Sequence, residues 1–295
     1  MPESLRLRSR TKRMALNSQM IYAKKPIEVR DGVPVFSVAD AFVRNYERIS
    51  ADHLESLEKN GTNPWIPERL WIEMEATTVE LVRKYSKSGD LILDVGVGLA
   101  RILSRFPNLR RFGMDISWGY LNLARTKGVE VCYARIEDMP YVPNTFDVLV
   151  CTDVLEHVLD LNLCCKRMID VLKPGGILIV RVPIHEDLSR YCEPGFPYEF
   201  VHLRHFTQPS LRLQFERIMH CEVLELTPGG YWPLRDRQKI TVPFGRVFSI
   251  GFRVFGRMPG LRSLVYNPIV RRLYHPIDAN VVVRKPLSDP ASSDH

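Results

Sequence analysis

Asp94, Gly96 and Gly98 close an apolar strand in the stretch from Leu91 to Arg101, and residues of these types at this spacing can hold a nucleotide. Glycine at 96 and 98 lets the backbone approach a ligand where any Cβ would collide, and a helix opening behind the turn points free N–H groups at it. A dinucleotide site wants a third glycine at position 101, where this chain has Arg101. The turn therefore suits a smaller adenosyl ligand better than a nicotinamide cofactor. Asp115 lies about twenty positions further on, at the carboxyl end of the strand Arg111 to Ile116, where an acid can accept hydrogen bonds from both hydroxyls of a ribose.

A second set of residues could move protons. Asp153, Glu156 and His157 stand at i, i+3 and i+4, so a helix starting there carries all three on one face. Such a face either holds a divalent ion or complements the helix dipole, and the structural role is the reading adopted, with no metal assigned. His185 follows Val182, Pro183 and Ile184 at the carboxyl end of a strand, the edge where doubly wound sheets build their sites, and is a candidate general base. His202 and His205 precede a helix that Thr207 can cap, and Arg204 or His205 could reach a substrate.

After the glycine turn come Ala134 to Pro140, Asn144 to Val158 and Leu172 to Pro183, each an element of one recognisable series. With these segments in this order, the chain resembles the class I S-adenosylmethionine-dependent methyltransferases over about residues 91–227. The resemblance implies S-adenosylmethionine as cofactor, with Asp94, Gly96 and Gly98 at its methionine end, Asp115 on the ribose diol and Ile116 against the adenine. Relatives usually carry Asp where this chain has Arg135, so the adenine reading passes to the backbone at Ile136 and Glu137. Thr152, at the end of the fourth strand, completes the implied cofactor set. A sulfonium methyl needs no activation, so the protein must place a nucleophile in line with it and remove a proton where that nucleophile is a hydroxyl. His185 and His205 are expected to matter more for that proton than His157. Enzymes acting on amino groups of nucleic-acid bases show Asn/Asp-Pro-Pro-aromatic after the fourth strand, and Cys151-Thr152-Asp153-Val154 argues against that class.

The elements that must position these residues alternate from residue 91 onward. Strands are expected near 91–95, 111–115, 130–134, 147–152 and 176–182, with helices between them. Residues 222–226 and 279–283 read as a last, antiparallel pair. The fold expected is α/β: a doubly wound, Rossmann-like, seven-stranded and mostly parallel sheet with an N-terminal helical cap and a C-terminal insertion before the last strand. Its divisions are a basic tail (1–25), the cap (26–88), the methyltransferase domain (89–286) with its insertion (228–278), and a C-terminal tail (287–295). In the cap, Pro64 and Pro67 separate two helices, the second burying Leu70, Ile72, Met74, Val79, Leu81 and Val82.

Charge divides along the same lines. Of the net +7, residues 1–25 carry +6 and residues 235–285 carry +9, which leaves −6 for residues 26–234 and −2 for the last ten. Pro243 can begin a basic amphipathic helix with Arg246, Arg253 and Arg257 on one line and Phe248, Phe252 and Phe255 opposite, suited to an anionic membrane surface. No apolar run approaches a spanning helix and the start lacks a secretory stretch, so a cytoplasmic protein, peripherally membrane-associated, is expected. Six cysteines without a C-x-x-C pair point to reduced core residues rather than a zinc ribbon or disulfide framework. The functional expectation is O-methylation of a small or lipid-linked acceptor such as a glycan, glycolipid or quinone precursor. An RNA-modifying enzyme with basic arms and a non-catalytic binding subunit are the alternatives, the first disfavoured by the missing aromatic-rich nucleic-acid module.

Overall fold

The computed structural model describes residues 21–232 and 275–287. Its strands are β1 (Glu28–Arg30), β2 (Val33–Val35), β3 (Leu91–Val95), β4 (Arg110–Asp115), β5 (Glu130–Tyr133), β6 (Phe146–Thr152), β7 (Leu172–Pro183), β8 (Glu222–Trp232) and β9 (His275–Arg284). The helices are α1 (Ala41–Asn60), α2 (Glu68–Tyr85), α3 (Trp118–Thr126), α4 (Leu161–Val171) and α5 (Gln208–Leu213). One sheet holds all the strands in the order β1-β2-β5-β4-β3-β6-β7-β9-β8, parallel from β2 to β7 and antiparallel at β1 and β9–β8. The central strands are apolar on both faces. Leu93, Leu149 and Leu178 belong to one core, while Ile92, Val148 and Ile179 belong to the other. Burial on both sides is the condition under which a parallel sheet is stable.

The expected seven strands are all present, but the sheet has nine, because β1 and β2 form a hairpin that extends its edge beside β5. Asp31 and Gly32 join them at φ 49° and 79°, the left-handed pair that a type I′ turn demands. The cap therefore begins with a hairpin, and only then do α1 and α2 follow. Asp40 caps α1 by accepting from Val43 N at 2.9 Å, and Gly61, at φ 66°, ends it. In α2 the expected buried face holds except for Ile72, which is 53% exposed, and Val79, which is partly buried. Trp71 and Thr78 are buried on that helix instead.

Three expected helices are not there, and one of them is the helix between β5 and β6, where residues 134–145 run as turns and loop. Behind the glycine turn the chain makes only a 3₁₀ turn at Leu103–Arg105, since Ala100 adopts φ 52°, a left-handed conformation a helix cannot include, and Pro107 cuts the segment short. Around 153–157 the chain turns without forming a helix, because Asp153 sits at φ 56° and its N–H donates to Arg181 O at 2.9 Å. The next helix, α4, starts only at Leu161, behind Asp160, which accepts from Leu163 N at 3.0 Å. Asp153, Glu156 and His157 consequently share no helix face.

The closing antiparallel pair runs further than expected. β8 continues to Trp232 and β9 begins at His275, with one shift of register between Val223 and Glu225, and beyond it Gly229 faces Asp278 and Asn280 faces both Arg181 and Thr227. Residues 228–232 and 275–278 are thus strand rather than insertion, and Arg246, Phe248, Phe252, Arg253, Phe255 and Arg257 lie outside the described residues. Cys132, Cys151, Cys164, Cys165 and Cys221 are free and buried, while Cys192 is free and exposed. No described helix is long and apolar enough to cross a membrane.

Candidate functional site

Strand ends β3 and β4 bring the glycine turn and two acids together. Gly96 has φ 75°, and a Cβ there would collide with Val154 Cγ2, so both its conformation and its space require glycine. Gly98, at φ 48°, has open room above it, with Gly96 O at 3.9 Å from where a Cβ would stand. Its N–H donates to Asp115 Oδ2 at 2.9 Å, while Asp115 Oδ1 receives Ile116 N at 2.8 Å and Ser117 N at 3.0 Å. Burial lifts the Asp115 carboxyl to about 6, against the lowering effect of these three N–H donors. Asp94 is 3% exposed and its Oδ1 has no hydrogen-bond partner. Burial, then the neighbouring Asp115, push its carboxyl well above the usual range, and Arg181 opposes them.

Arg135 is held by Asp40 and Glu137, with Nη1 donating to Asp40 Oδ2 at 2.6 Å and Nη2 to Glu137 Oε1 at 3.3 Å, its guanidinium 5.1 Å from the Phe42 ring. One oxygen of the Glu137 carboxylate is therefore engaged by Arg135. The Ile136 side chain is 6% exposed and packs into the core, leaving the backbone as what either residue can offer a ligand. Ile116 is half-buried beside Trp118, which stacks on Tyr133 at 4.6 Å.

A polar row crosses the sheet beneath α2. Thr152, Arg181, Asn280 and Thr227 are consecutive partners across β6, β7, β9 and β8. Arg181, 2% exposed, donates from Nε to Asp153 Oδ1 at 3.1 Å and from Nη2 to Asp153 Oδ2, and from Nη1 to Thr78 Oγ1 at 3.2 Å. Thr78 in turn donates to Asn280 Oδ1 at 3.0 Å. Asp278, two residues before Asn280 on β9, is fully buried with neither carboxylate oxygen partnered, and burial lifts it to about 7 despite Arg181.

On the loops above β6 and β7, His157 meets His202 with ring centroids 4.6 Å apart. His157 Nδ1 lies 3.0 Å from Val201 O and 2.9 Å from the Tyr46 hydroxyl, which itself donates to Val201 O at 3.0 Å. Burial, then His202, pull His157 down to about 4. His202 Nδ1 is bonded to Glu186 Oε2, and the Tyr191 hydroxyl donates to Glu186 Oε1 at 2.5 Å. Burial raises Glu186, but the bonds from His202 and Tyr191 outweigh it and hold the carboxyl below its ordinary value. Glu156 is 1% exposed, with Oε2 unpartnered, and burial followed by Asp153 raises it strongly. His185, at φ 57°, and His205 are exposed, and their rings stand 6.1 Å apart on the rim beside this cluster.

The predicted residues thus fall into groups: Asp94, Gly96, Gly98, Asp115 and Ile116 at the turn, Ile136 and Glu137 on the next loop, Thr152 in the polar row, His185 with His205, and His157 apart from them with His202. Sequence reading missed Arg181, Glu186, Asp278 and the role of Tyr46. Two of these left a signal: Arg181 interrupts an otherwise apolar strand, and Glu186 adjoins His185 at a strand's functional edge.

Residues 93–180 match the family described as methyltransferase domain. A protein of Methanocaldococcus jannaschii is 34% identical over 111 residues, 37% of this chain, which spans about half (48%) of that relative. A ubiquinone biosynthesis O-methyltransferase of Xylella fastidiosa is 26% identical over 222 residues, covering 68% of this chain and 89% of the relative. Among solved structures, the complex of the Haloferax volcanii Trm112 methyltransferase activator with a methyltransferase aligns at TM-score 0.54 and 17% identity over 85% of this chain and 100% of the other, a likeness of fold. The matched residues span the glycine turn, the acid at the second strand end and the strands up to Val180, and over them the chain carries a methyltransferase domain.

Proposed function

We propose that this methyltransferase O-methylates a small or lipid-linked acceptor, a glycan, glycolipid or quinone precursor, at the loop edge of the sheet. The observation that carries the cofactor assignment is Asp94: a buried carboxylate with an unpartnered oxygen, beside a bare-backbone turn and a second acid. Such a group is costly unless a donor or cation meets it. S-adenosylmethionine, when bound, supplies an electrophilic methyl on a sulfonium and an ammonium group. Asp94, Gly96 and Gly98 hold that end, Asp115 accepts from the ribose, Ile116 covers one face of the adenine, the backbone at Ile136 and Glu137 reads its edge, and Thr152 closes the floor.

For the acceptor, the chain's own residues must orient a hydroxyl and take its proton. His185 and His205 face solvent on the rim, where an imidazole can receive a proton and pass it on. The O-methyl reading is supported by these histidines at the functional edge, together with the coverage of the Xylella O-methyltransferase. The lipid-linked reading is supported by the basic residues 235–285, most of which lie between two strands that end at the same edge.

Calorimetry with S-adenosylhomocysteine tests the cofactor assignment. Wild type should bind, and Asp94→Asn and Asp115→Ala should each weaken binding at least about tenfold, a loss of one to two hydrogen bonds to charged groups. No binding by wild type, or binding indifferent to both substitutions, would overturn it.

A further inference from the structure

Hydrogen bonding fixes the tautomers of the two inner histidines. Val201 O can only accept, so the proton of neutral His157 sits on Nδ1 and the Nε2 lone pair is bare. The Glu186 carboxylate likewise receives the His202 Nδ1 proton, so in the neutral ring the second Nε2 is the lone pair. A histidine whose distal nitrogen is tied to a carboxylate or a backbone carbonyl is oriented as a metal ligand is oriented. Glu156 Oε1 stands 3.9 Å from His157 Nε2, and its Oε2 is buried without a partner. One ligand atom each from Glu156, His157 and His202 lies within 4.8 Å of the others. Asp153 is not part of this group, because Arg181 holds both of its oxygens.

We propose that Glu156, His157 and His202 bind one divalent transition-metal ion, with Glu186 and the Val201 carbonyl orienting the two imidazoles. Donor atoms around a tetrahedral ion stand about 3.3 Å apart, so side-chain rotation on the order of 1 Å closes the set. Two imidazoles and one carboxylate suit Zn²⁺, Co²⁺, Mn²⁺ or Fe²⁺ better than the all-oxygen shells of Mg²⁺ and Ca²⁺. Three protein ligands leave a position open, the hallmark of a catalytic rather than a structural ion. Partnering Glu156 also answers the cost of its buried free oxygen. An acceptor hydroxyl in the open position would be acidified and held for attack, its proton leaving to His185 or solvent. That role rests on the O-methylation reading, whereas binding of the ion does not.

The full chain, stripped with chelator and free of S-adenosylmethionine, is titrated with Zn²⁺ and Mn²⁺ by calorimetry and with Co²⁺ by visible ligand-field absorption. One ion per chain is expected. Glu156→Gln, His157→Gln and His202→Gln should each weaken it at least about 100-fold, and Glu186→Gln, outside the ligand set, by about 10- to 100-fold. His220→Gln, on an exposed turn, should change nothing. Circular dichroism of each variant confirms folding, and the Glu186 variant carries the test where a ligand variant unfolds. Absence of any bound ion, or binding that survives all four substitutions, overturns the proposal. S-adenosylhomocysteine titration in parallel separates the two ideas, since failure there leaves the ion result standing.

Discussion

His185 and His157 are both histidines near the loop edge, yet their surroundings give them opposite capabilities. His157 is enclosed by Tyr46, Val201 and His202, and burial holds it neutral, pulled down to about 4, so it is poorly suited to receive a proton that must then leave. His185 stands exposed opposite His205. Replacing His185 or His205 by Gln should therefore lower kcat by roughly 10²-fold or more, the usual worth of a general base, and leave the affinity for S-adenosylhomocysteine unchanged. Paired steady-state kinetics and calorimetry check this, and a variant that lost cofactor affinity to the same extent would assign the residue to the cofactor pocket instead. The individual site residues were legible to very different degrees. Asp94, Gly96, Gly98 and Asp115 could be read from the sequence because each takes its meaning from a strand end a few residues away. The pairings Asp153–Arg181 and Glu186–His202 were not legible, since they join loop residues that only the strand order makes neighbours.

At the scale of elements, hydrophobic runs placed the strands well, and β3 spans the expected residues 91–95. Helix starts were less readable, because i, i+3, i+4 spacing at Asp153, Glu156 and His157 says nothing about the buried arginine that captures Asp153 and holds the chain at φ 56°. The β1–β2 hairpin carried an Asp-Gly signal, but strands of three residues show too little alternation to stand out. The extension of β8–β9 has an energetic consequence. It buries Asp278 against Gly229 and Gly230, where a Cβ on either would crowd the carboxylate, and gives it no hydrogen-bond partner. Its carboxyl, lifted by burial to about 7 from an unfolded value of about 4, binds a proton in the folded chain through that interval. The stability it contributes is therefore present below pH 4 and lost as pH rises through 7. Asp115, at about 6, acts with the same sign over a narrower window, while His157, at about 4, acts with the opposite sign as pH falls below 6.5. Asp278→Asn should raise thermal stability at pH 8, on the order of 1–3 kcal/mol for relieving one buried unpartnered group, with the gain shrinking towards pH 4. Melting curves of the ligand-free protein across that range check it, and a gain independent of pH would mean that the carboxylate is not the cause.

At the scale of the whole molecule, charge and topology point in one direction. The chain between β8 and β9 leaves the sheet at Trp232 and returns at His275, and β9 reaches Asp278 opposite Pro183, the last residue of β7. The segment therefore joins the sheet at the same edge that carries His185 and Glu186. Residues 235–285 have a net charge of +9 and residues 26–234 a net charge of −6, so attraction to an anionic surface belongs to this segment and to the basic residues 1–25. An acceptor carried on a lipid must be met at the bilayer, and contact through this edge would bring the rim histidines towards the head groups. Arginines at 246, 253 and 257 with phenylalanines at 248 and 255 would give such a contact both electrostatic attraction and apolar burial. Reversible binding to vesicles containing phosphatidylserine is thus expected, decreasing as salt is raised because the attraction is screened over a Debye length. Changing Arg246, Arg253 and Arg257 to Glu should abolish it, and changing Phe248 and Phe255 to Ser should weaken it, with S-adenosylhomocysteine affinity retained in the arginine variant. Flotation assays decide the matter: wild-type protein that stays in solution at low salt would remove the membrane contact and leave a freely diffusing acceptor, whereas salt-sensitive flotation lost in the arginine variant would place the site mouth at the bilayer surface.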